Sequence, residues 1–506
     1  MKRSLIVAAL TLVAAIAALT VITRNLNATA TTTTFIPVAE RGDRSAAQGL
    51  TLHTGLTVGG YLRWNTEYMP DTAESGTVFS FQSGGWQGGD LNEISSYYPY
   101  YSSELYIVPC YLTDTINLEE LLHVDGTETE VEKVIRLKDY YDVHPLFLSV
   151  NQSYMESQTI RHNDPSSRPT EFRFDKLQIP VDDDDTMVLH IRKHFYSENS
   201  AYDYECSVLD IDTVMIPFSV PMKGCLLATV GFLPDVEAEE SWAPEGFGLW
   251  EIPVTQQSME FDRASYVYDA PDMAQARLAY PLDITRQNVV ALAPSADLSQ
   301  YLLLVAEDGQ LVLHVLDAAT YQCLQTLPLG EAKAEPYDIT QYSWSGTEYT
   351  SHHTTYGTMA IHSGDNFLAI SLNEERMAVL LPDGDGYRLD FICPVLRIGQ
   401  MTRGDSRDQY LWSDEYDRDD PASPVFNEYT PLVGIDSFTQ TPMCYHDGKL
   451  AMAFYGPNYS SPCTVVEVYG PDGLTYGACI TSDLARQYYG HSALFTTSFR
   501  PKLTWE

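Results

Sequence analysis

The chain opens on one long apolar run and then changes character. After Lys2 and Arg3, residues 4–23 carry no charge and are built mainly from Ala, Leu, Val, Ile and Thr. As a helix rising 1.5 Å per residue, such a run reaches about 30 Å, the thickness of a bilayer's hydrocarbon core. The two leading cations would keep its start on the cytoplasmic side and put the rest of the chain outside. Signal h-regions are usually shorter, and Arg24 separates the run from the A-x-A-like Ala28-Thr29-Ala30. Residues 1–23 are therefore expected to be a signal anchor, with a cleaved signal peptide as the alternative. The matching locations are the cell membrane, single-pass with the C-terminal domain extracytoplasmic, or secretion. Residues 24–50, with four threonines at 31–34 and few apolar positions, predict a flexible tether.

From residue 51 helical periodicity nearly vanishes. Short runs rich in Val, Leu, Tyr, Thr and Phe alternate with Gly, Pro, Asp and Asn, the pattern of strands joined by turns. The clearest unit predicts strands at 289–293, 301–306, 310–316 and 322–327. Its turns are Glu307-Asp308-Gly309 and Asp317-Ala318-Ala319-Thr320, and Asp-Gly is a favoured hairpin turn. Looser sets follow at 357–362, 366–371, 376–381 and 387–394, and at 432–435, 449–454, 464–469 and 475–480. Upstream, strands are predicted at 104–112, 121–124 and 131–137, at 186–195, 207–212 and 215–220, and at 225–232, 247–254 and 258–268. Residues 331–356 and 401–430 are expected as long loops, and 271–279 and 481–489 as short helices. The strand-like 492–505 is expected to pair with 54–64, removing exposed sheet edges.

Ala293-Pro294-Ser295 before an apolar strand, then Asp308-Gly309-Gln310-Leu311, then Val315-Leu316-Asp317-Ala318-Ala319-Thr320 resembles a blade of the WD40/YVTN and quinoprotein-like propeller superfamilies. In those blades the last phrase ends in glycine. Here Tyr321 stands in that place, and the WD dipeptide is missing. The resemblance covers 288–329 and implies a fold, not an activity. The expected class is all-β, a β-propeller of about seven four-stranded blades over 51–506, behind an N-terminal transmembrane or signal helix. The rival architecture is a β-sandwich at 51–200 followed by a shorter propeller.

Composition narrows the partners. The 506 residues hold 69 Asp+Glu against 30 Lys+Arg, a formal charge of -39, and no basic stripe interrupts it, so nucleic acid is excluded as an expected partner. The membrane is expected to be met through residues 4–23. Eight cysteines show no C-x-x-C or zinc spacing. Several, such as Cys110 and Cys393, lie in apolar runs and are read as small buried residues.

Candidate chemistry is sparse. Trp86 in a glycine-rich stretch is followed by Tyr97, Tyr98, Tyr100 and Tyr101, aromatic faces suited to a protein or glycan ligand. No cofactor is expected except calcium, for which Asp383, Asp385 and Asp390 around Gly384 and Gly386 form the nearest approach to a loop of hard oxygen ligands. The acidic blocks at 182–185 and 405–420 are read as solvated charge. Arg-Gly-Asp occurs at 41–43 and 403–405, in loop-like stretches, and is read as coincidence. The adjacent His352 and His353 are read as loop residues. There is no H-E-x-x-H and no G-x-S-x-G, so catalytic residues stay unassigned. The expected role is an extracytoplasmic binding or scaffold module of a bacterial cell envelope, with a glycan- or peptide-cleaving propeller as the alternative.

Overall fold

The computed structural model of the chain describes residues 2–58, 62–81, 101–106, 130–152, 154–156, 159–161, 170–194, 203–211, 214–222, 224–261, 264–342, 348–356, 359–372, 376–395, 441–455, 463–482, 496–498 and 501–506. The α-helix Lys2–Thr32 leads the chain; among the described residues the remaining regular structure is antiparallel strands with a few 3-10 turns. Among the described residues the strands form seven sheets of three to five strands and two isolated hairpins. The chain divides into two compact units, one of residues 1–93, 366–381 and 389–506, the other of 94–365 and 382–388.

In the first unit, Leu50–Val58, Leu62–Met69 and Glu74–Phe81 form a meander, and Thr496–Ser498 and Lys502–Trp505 pair onto Leu50–Val58. The expected union of the two ends of the chain is present, with Leu50 opposite Trp505 and Leu56 opposite Ser498. Trp505 Nε1 donates to Gln48 O at 2.8 Å. A second sheet runs Phe35–Gly42, Gly473–Ser482, Cys463–Gly470, Lys449–Tyr455 and Met443–His446. Leu50, Leu52, Tyr68, Val466, Val468 and Tyr476 belong to one buried apolar cluster.

Residues 24–50 are not a loose tether. The helix continues to Thr32, and Leu26 and Ala30 pack with Leu62, Trp64 and Phe79. Phe35–Gly42 then adds to Gly473–Ser482 as an edge strand, with a register shift beside Pro37, which cannot donate to a ladder. The apolar start of this strand explains why it pairs. Arg41-Gly42-Asp43 is correspondingly a strand end and not an open loop. Gly42 has φ +84, and a Cβ there would meet Thr475 O at 2.1 Å. The Asp43 carboxylate caps the 3-10 turn Arg44–Ala47 through Ser45 N. The second Arg-Gly-Asp lies outside the described residues.

In the second unit, Tyr101–Tyr106, Phe147–Gln152 and Thr170–Arg173 make one sheet, and Glu130–Arg136, Thr186–His194 and Asp203–Ile211 another. Next come Met215–Met222, Cys225–Phe232 and the 15-residue strand Phe247–Phe261. The first half of that long strand also pairs with Arg277–Leu282, and the second half folds into a hairpin with Ala264–Pro271. The 258–268 run is thus two strands, and 271–279 is not a helix. Asp272 caps a single 3-10 turn, Met273–Gln275, and the chain returns at once to the sheet. Gln287–Pro294, Gln300–Glu307, Gln310–Asp317 and Cys323–Glu331 form a four-stranded sheet in chain order, close to the predicted bounds. Asp308 and Gly309 have φ +48 and +77, the backbone of a type I′ hairpin turn.

Residues 331–356, expected as a loop, contain the hairpin Glu335–Tyr342 and Glu348–Thr355, with His352 and His353 in its second strand. Ala360–Ser363, Leu368–Leu372, Arg376–Asp383 and Gly386–Pro394 make a further four-stranded sheet, again in chain order. The predicted strands at 121–124 and 432–435 lie outside the described residues, as does most of the 481–489 helix. Residues 481 and 482 end the strand Gly473–Ser482.

Two side-chain amides stitch neighbouring backbones in the second unit. Asn288 accepts from Phe232 N at 2.7 Å and donates to Phe232 O at 2.6 Å. Gln325 does the same to Tyr387, with both bonds at 2.8 Å. The first clamp needs close approach, since a Cβ on Gly231 would stand 1.9 Å from Val289 O.

Candidate functional site

A group of interacting titratable side chains lies in the second unit. It joins the strand Arg277–Leu282 and its sheet to the inward face of the 287–331 sheet. Strand alternation dictates that face: Tyr301, Leu303, Val305 and Glu307 share one side of their strand. Tyr301 lies opposite Leu316, and Leu303 opposite His314.

Tyr321 organises the first half of the group. The turn before it is built by Asp317, whose Oδ1 accepts from Ala319 N, Thr320 N and the Thr320 hydroxyl. Those bonds, the Thr320 hydroxyl first, hold the Asp317 carboxyl below the usual range. The chain then needs a left-handed residue, and Tyr321 supplies it at φ +58, a conformation unfavourable for a bulky side chain. Its ring stacks on Tyr301 with centroids 5.5 Å apart. The Arg277 guanidinium lies 5.3 Å from the Tyr321 centroid and pairs with Glu251. Burial, then the neighbouring Tyr301, pushes the Tyr321 phenol far up. Burial also raises Tyr301, with Cys225 adding to it. The Cys225 thiol is pushed up to about 11 by burial and then by Glu251. These phenols are neutral hydrogen-bonding groups in the physiological range.

The second half is a chain of polar groups. The Tyr280 hydroxyl lies 3.0 Å from His314 Nδ1. His314 is 3% exposed, and its Nε2 stands 3.8 Å from Glu307 Oε2. Burial holds His314 below the ordinary imidazole range, and Glu307 pulls it the other way. It is therefore neutral near pH 7, a donor on one ring nitrogen and an acceptor on the other. Burial raises Tyr280, with Cys323 next. Cys323 itself is exposed and its Sγ lies 3.3 Å from Gln325 O. Tyr280 packs against the cluster that contains Tyr301, Leu316 and Tyr321, so the two halves are continuous.

Of the ligand and metal candidates read from sequence, those among the described residues stand elsewhere. Trp86, Tyr97, Tyr98 and Tyr100 lie outside the described residues. Tyr101 starts the strand Tyr101–Tyr106, opposite Gln152. Asp383, Gly384 (φ +61) and Asp385 form the expected turn, where Asp385 O accepts from Gln300 Nε2 at 2.8 Å. Asp390 Oδ2 accepts from the Tyr445 hydroxyl at 2.7 Å. Among the described residues no three His, Cys, Asp or Glu are grouped to hold a metal ion. Within the 182–185 acidic block, Asp185 Oδ2 accepts from Asp182 N at 2.8 Å and lies 3.2 Å from the buried His144 Nε2, so that carboxylate is part of the fold.

Of the group on the 287–331 sheet, the sequence had marked only Tyr321, as the residue standing where the blade motif has glycine. Alternation also held a signal for His314, a polar residue on the apolar inward face of its strand. Tyr280, Glu251, Arg277 and Glu307 carried none: Glu251 and Arg277 meet through the pairing of distant strands, Glu307 reaches His314 from the adjacent strand, and Tyr280 reaches His314 only where two sheets pack.

No family model matches the chain, and no curated protein matches it. Among solved structures, the chain is similar to the beta-propeller domain of Cps50 (Swd1) from Myceliophteria thermophila, with 9% identity, 88% of each chain covered and a TM-score of 0.25. It is also similar to a candidate 6-phosphogluconolactonase from Bacteroides fragilis NCTC 9343, with 11% identity, 67% of this chain and 93% of that chain covered, and a TM-score of 0.18. TM-scores this low carry no feature of those proteins over to this chain.

Proposed function

We propose that the chain is an extracytoplasmic β-propeller of about seven blades, held at the membrane by its N-terminal helix, and that it serves as a binding or scaffold module of the cell envelope. One observation carries this reading. The helix over Thr11–Thr32 is long and apolar enough to cross a membrane, and none of it is buried against the protein in its apolar window. Leu12, Val13, Ile16, Leu19, Val21 and Ile22 are each about half exposed or more. So many apolar side chains on one helix need a nonpolar surrounding. A signal sequence would share these properties, but here the last turns also pack on Trp64, as part of the fold.

The blade reading is supported by the seven antiparallel sheets of three to five strands among the described residues and by the pairing of Leu50–Val58 with Thr496–Ser498 and Lys502–Trp505, the device that leaves no open edge in a ring. A protein or glycan ligand would be met by Trp86, Tyr97, Tyr98, Tyr100 and Tyr101. The body's negative charge keeps nucleic acid away.

Fractionation with N-terminal sequencing tests the reading. The chain should pellet with membranes, keep residues 1–23, and lose its body to protease added outside the cell. A soluble cytoplasmic chain, or a body sheltered from that protease, overturns it.

A further inference from the structure

The leading helix fixes which end of a sheet faces the membrane. Leu26 and Ala30 pack with Leu62, Trp64 and Phe79, and the helix lies against Glu74–Phe81, the edge strand of its sheet among the described residues. Just after the helix ends, Phe35 meets Tyr68, with ring centroids 6.3 Å apart. Trp64 and Tyr68 share a face of Leu62–Met69 and stand about 13 Å apart along it. The chain thus moves from the Trp64 level to the Tyr68 level as it leaves the helix. Followed backwards, the helix passes Leu62 and its partner Phe81 before it reaches its exposed apolar stretch, Leu12 to Ile22. From Leu26 back to Ile22 is about 6 Å of helix, and from Phe79 on to Phe81 is about 7 Å of strand. Phe81 therefore stands level with the last turn of the apolar run.

We propose that this end of the sheet is a second, shallow membrane contact, with the Phe81 ring set in the boundary between lipid headgroups and acyl chains. The contact rests on the membrane-spanning reading of the helix and adds a site to it. Phe81 lies on the helix side of its strand, T-shaped against Phe79 with centroids 5.8 Å apart, and yet is 61% exposed. Val78, on the other face, is 64% exposed. An exposed aromatic ring beside the end of a membrane span is placed as interfacial rings are. Charge points the same way. Thr496–Ser498 and residues 56–58, 62–64 and 79–81 pair across this end of the sheet. They contain no acidic residue and one basic one, Arg63. The hairpin's carboxylates, Glu67, Asp71 and Glu74, all lie in the half nearer its turn. In a chain with 69 acids, a sheet end without one is where an anionic bilayer surface repels the body least. An edge strand carries backbone groups that hydrocarbon cannot satisfy, so the side chain enters while the backbone stays among the headgroups. Held at two points, the first unit cannot swivel freely about its helix.

The test uses the full chain in vesicles of phosphatidylcholine and phosphatidylglycerol that carry a phospholipid with a diazirine at the top of one acyl chain. After illumination, tandem mass spectrometry should find lipid adducts at two places, on the helix and on residues 78–81, and none at the hairpin's turn, residues 70–73. Phe81→Ser should cut the strand adducts about tenfold, the worth of the exposed part of a phenyl ring leaving water, and leave the helix adducts unchanged. Phe81→Trp, which keeps an interfacial ring, should retain both. Helix adducts without strand adducts in the wild type, or strand adducts that survive Phe81→Ser undiminished, overturn the second contact and leave the anchor standing. Adducts spread equally over the turn overturn it too. Strand adducts that appear only when the protein is diluted in lipid would make a second copy of the chain the occupant, and also overturn it. A chain with no adducts on the helix overturns the anchor itself.

Discussion

Tyr321 shows how one residue can be unfavourable locally and favourable overall. A bulky side chain in the left-handed region costs about 1–2 kcal/mol, which glycine would avoid. Against that, the ring is 7% exposed, stacks on Tyr301 and lies beneath Arg277. Burying an aromatic ring of this size contributes about 3 kcal/mol, and the stacking adds up to about 1 more. Packing wins, so Tyr321→Gly should lower stability by about 1–3 kcal/mol in chemical denaturation, even though it restores the blade motif; a gain in stability would mean the ring contributes little. Glu467 is the opposite case, a residue with no visible mark in the sequence. It is 1% exposed, in a strand whose neighbours are buried on both faces, and it accepts from the Tyr469 hydroxyl at 2.8 Å. Burial pushes its carboxyl from 4.5 up to about 8. The folded state therefore holds a proton that the unfolded state has released. The stability this gives is complete below about pH 4.5 and is lost as pH rises through about 8. Roughly 3–5 kcal/mol is at stake, and Glu467→Gln should flatten the loss between pH 5 and 8. Denaturation midpoints of the two proteins across that range decide it, and parallel curves would be inconsistent with a buried neutral carboxyl.

At the scale of elements, legibility follows locality. The strands of the 287–331 sheet could be placed from sequence because Asp308-Gly309 fixes a turn that only a few residue types allow, and because each strand carries an unbroken apolar run. The Asp447-Gly448 turn, with φ +45 and +74, is the same case. The hairpin Glu335–Tyr342 and Glu348–Thr355 was hidden, because Thr, Ser, His and Gln dominate it and no apolar alternation announces it. The edge strand Phe35–Gly42 was hidden by the polar residues around it. The amide clamps lie further out of reach, since Asn288 and Phe232 meet only when two sheets pack. Their weight can be measured. Asn288→Ala leaves the Phe232 N–H and C=O without their partner in a site that is 3% exposed. Each uncompensated group costs about 1–3 kcal/mol, so a loss of about 2–4 kcal/mol is expected. Asn288→Asp keeps the acceptor but sets a carboxylate against the Phe232 carbonyl, and should lose more. Equal stability of Asn288→Ala and wild type would show that the clamp only decorates the packing.

For the whole molecule the balance of 69 acids against 30 bases can be read as a physical load. The described ion pairs do little to offset it. Arg286–Asp308, Arg136–Asp139 and Lys333–Glu335 are largely exposed, and such pairs are worth about 0–1 kcal/mol each. Self-repulsion among the remaining carboxylates acts over tens of ångströms in dilute buffer, where the Debye length is about 30 Å at 10 mM salt, and shrinks to about 8 Å at 150 mM. Repulsion and pairing therefore predict opposite responses. If pairs dominated, salt would weaken the fold; since repulsion dominates, thermal midpoints should rise between 10 and 150 mM sodium chloride, mostly at the low end. The same experiment addresses calcium at Asp383, Asp385 and Asp390. Asp390 accepts from Tyr445, and the Asp383–Asp385 turn lacks the spaced carboxylates of a calcium loop. Calcium and magnesium chloride at matched ionic strength should thus raise the midpoint equally, as diffuse screening does. A calcium-specific increment saturating at micromolar to millimolar ion would instead assign part of this charge to a built cation site, and its loss in Asp385→Asn would locate it.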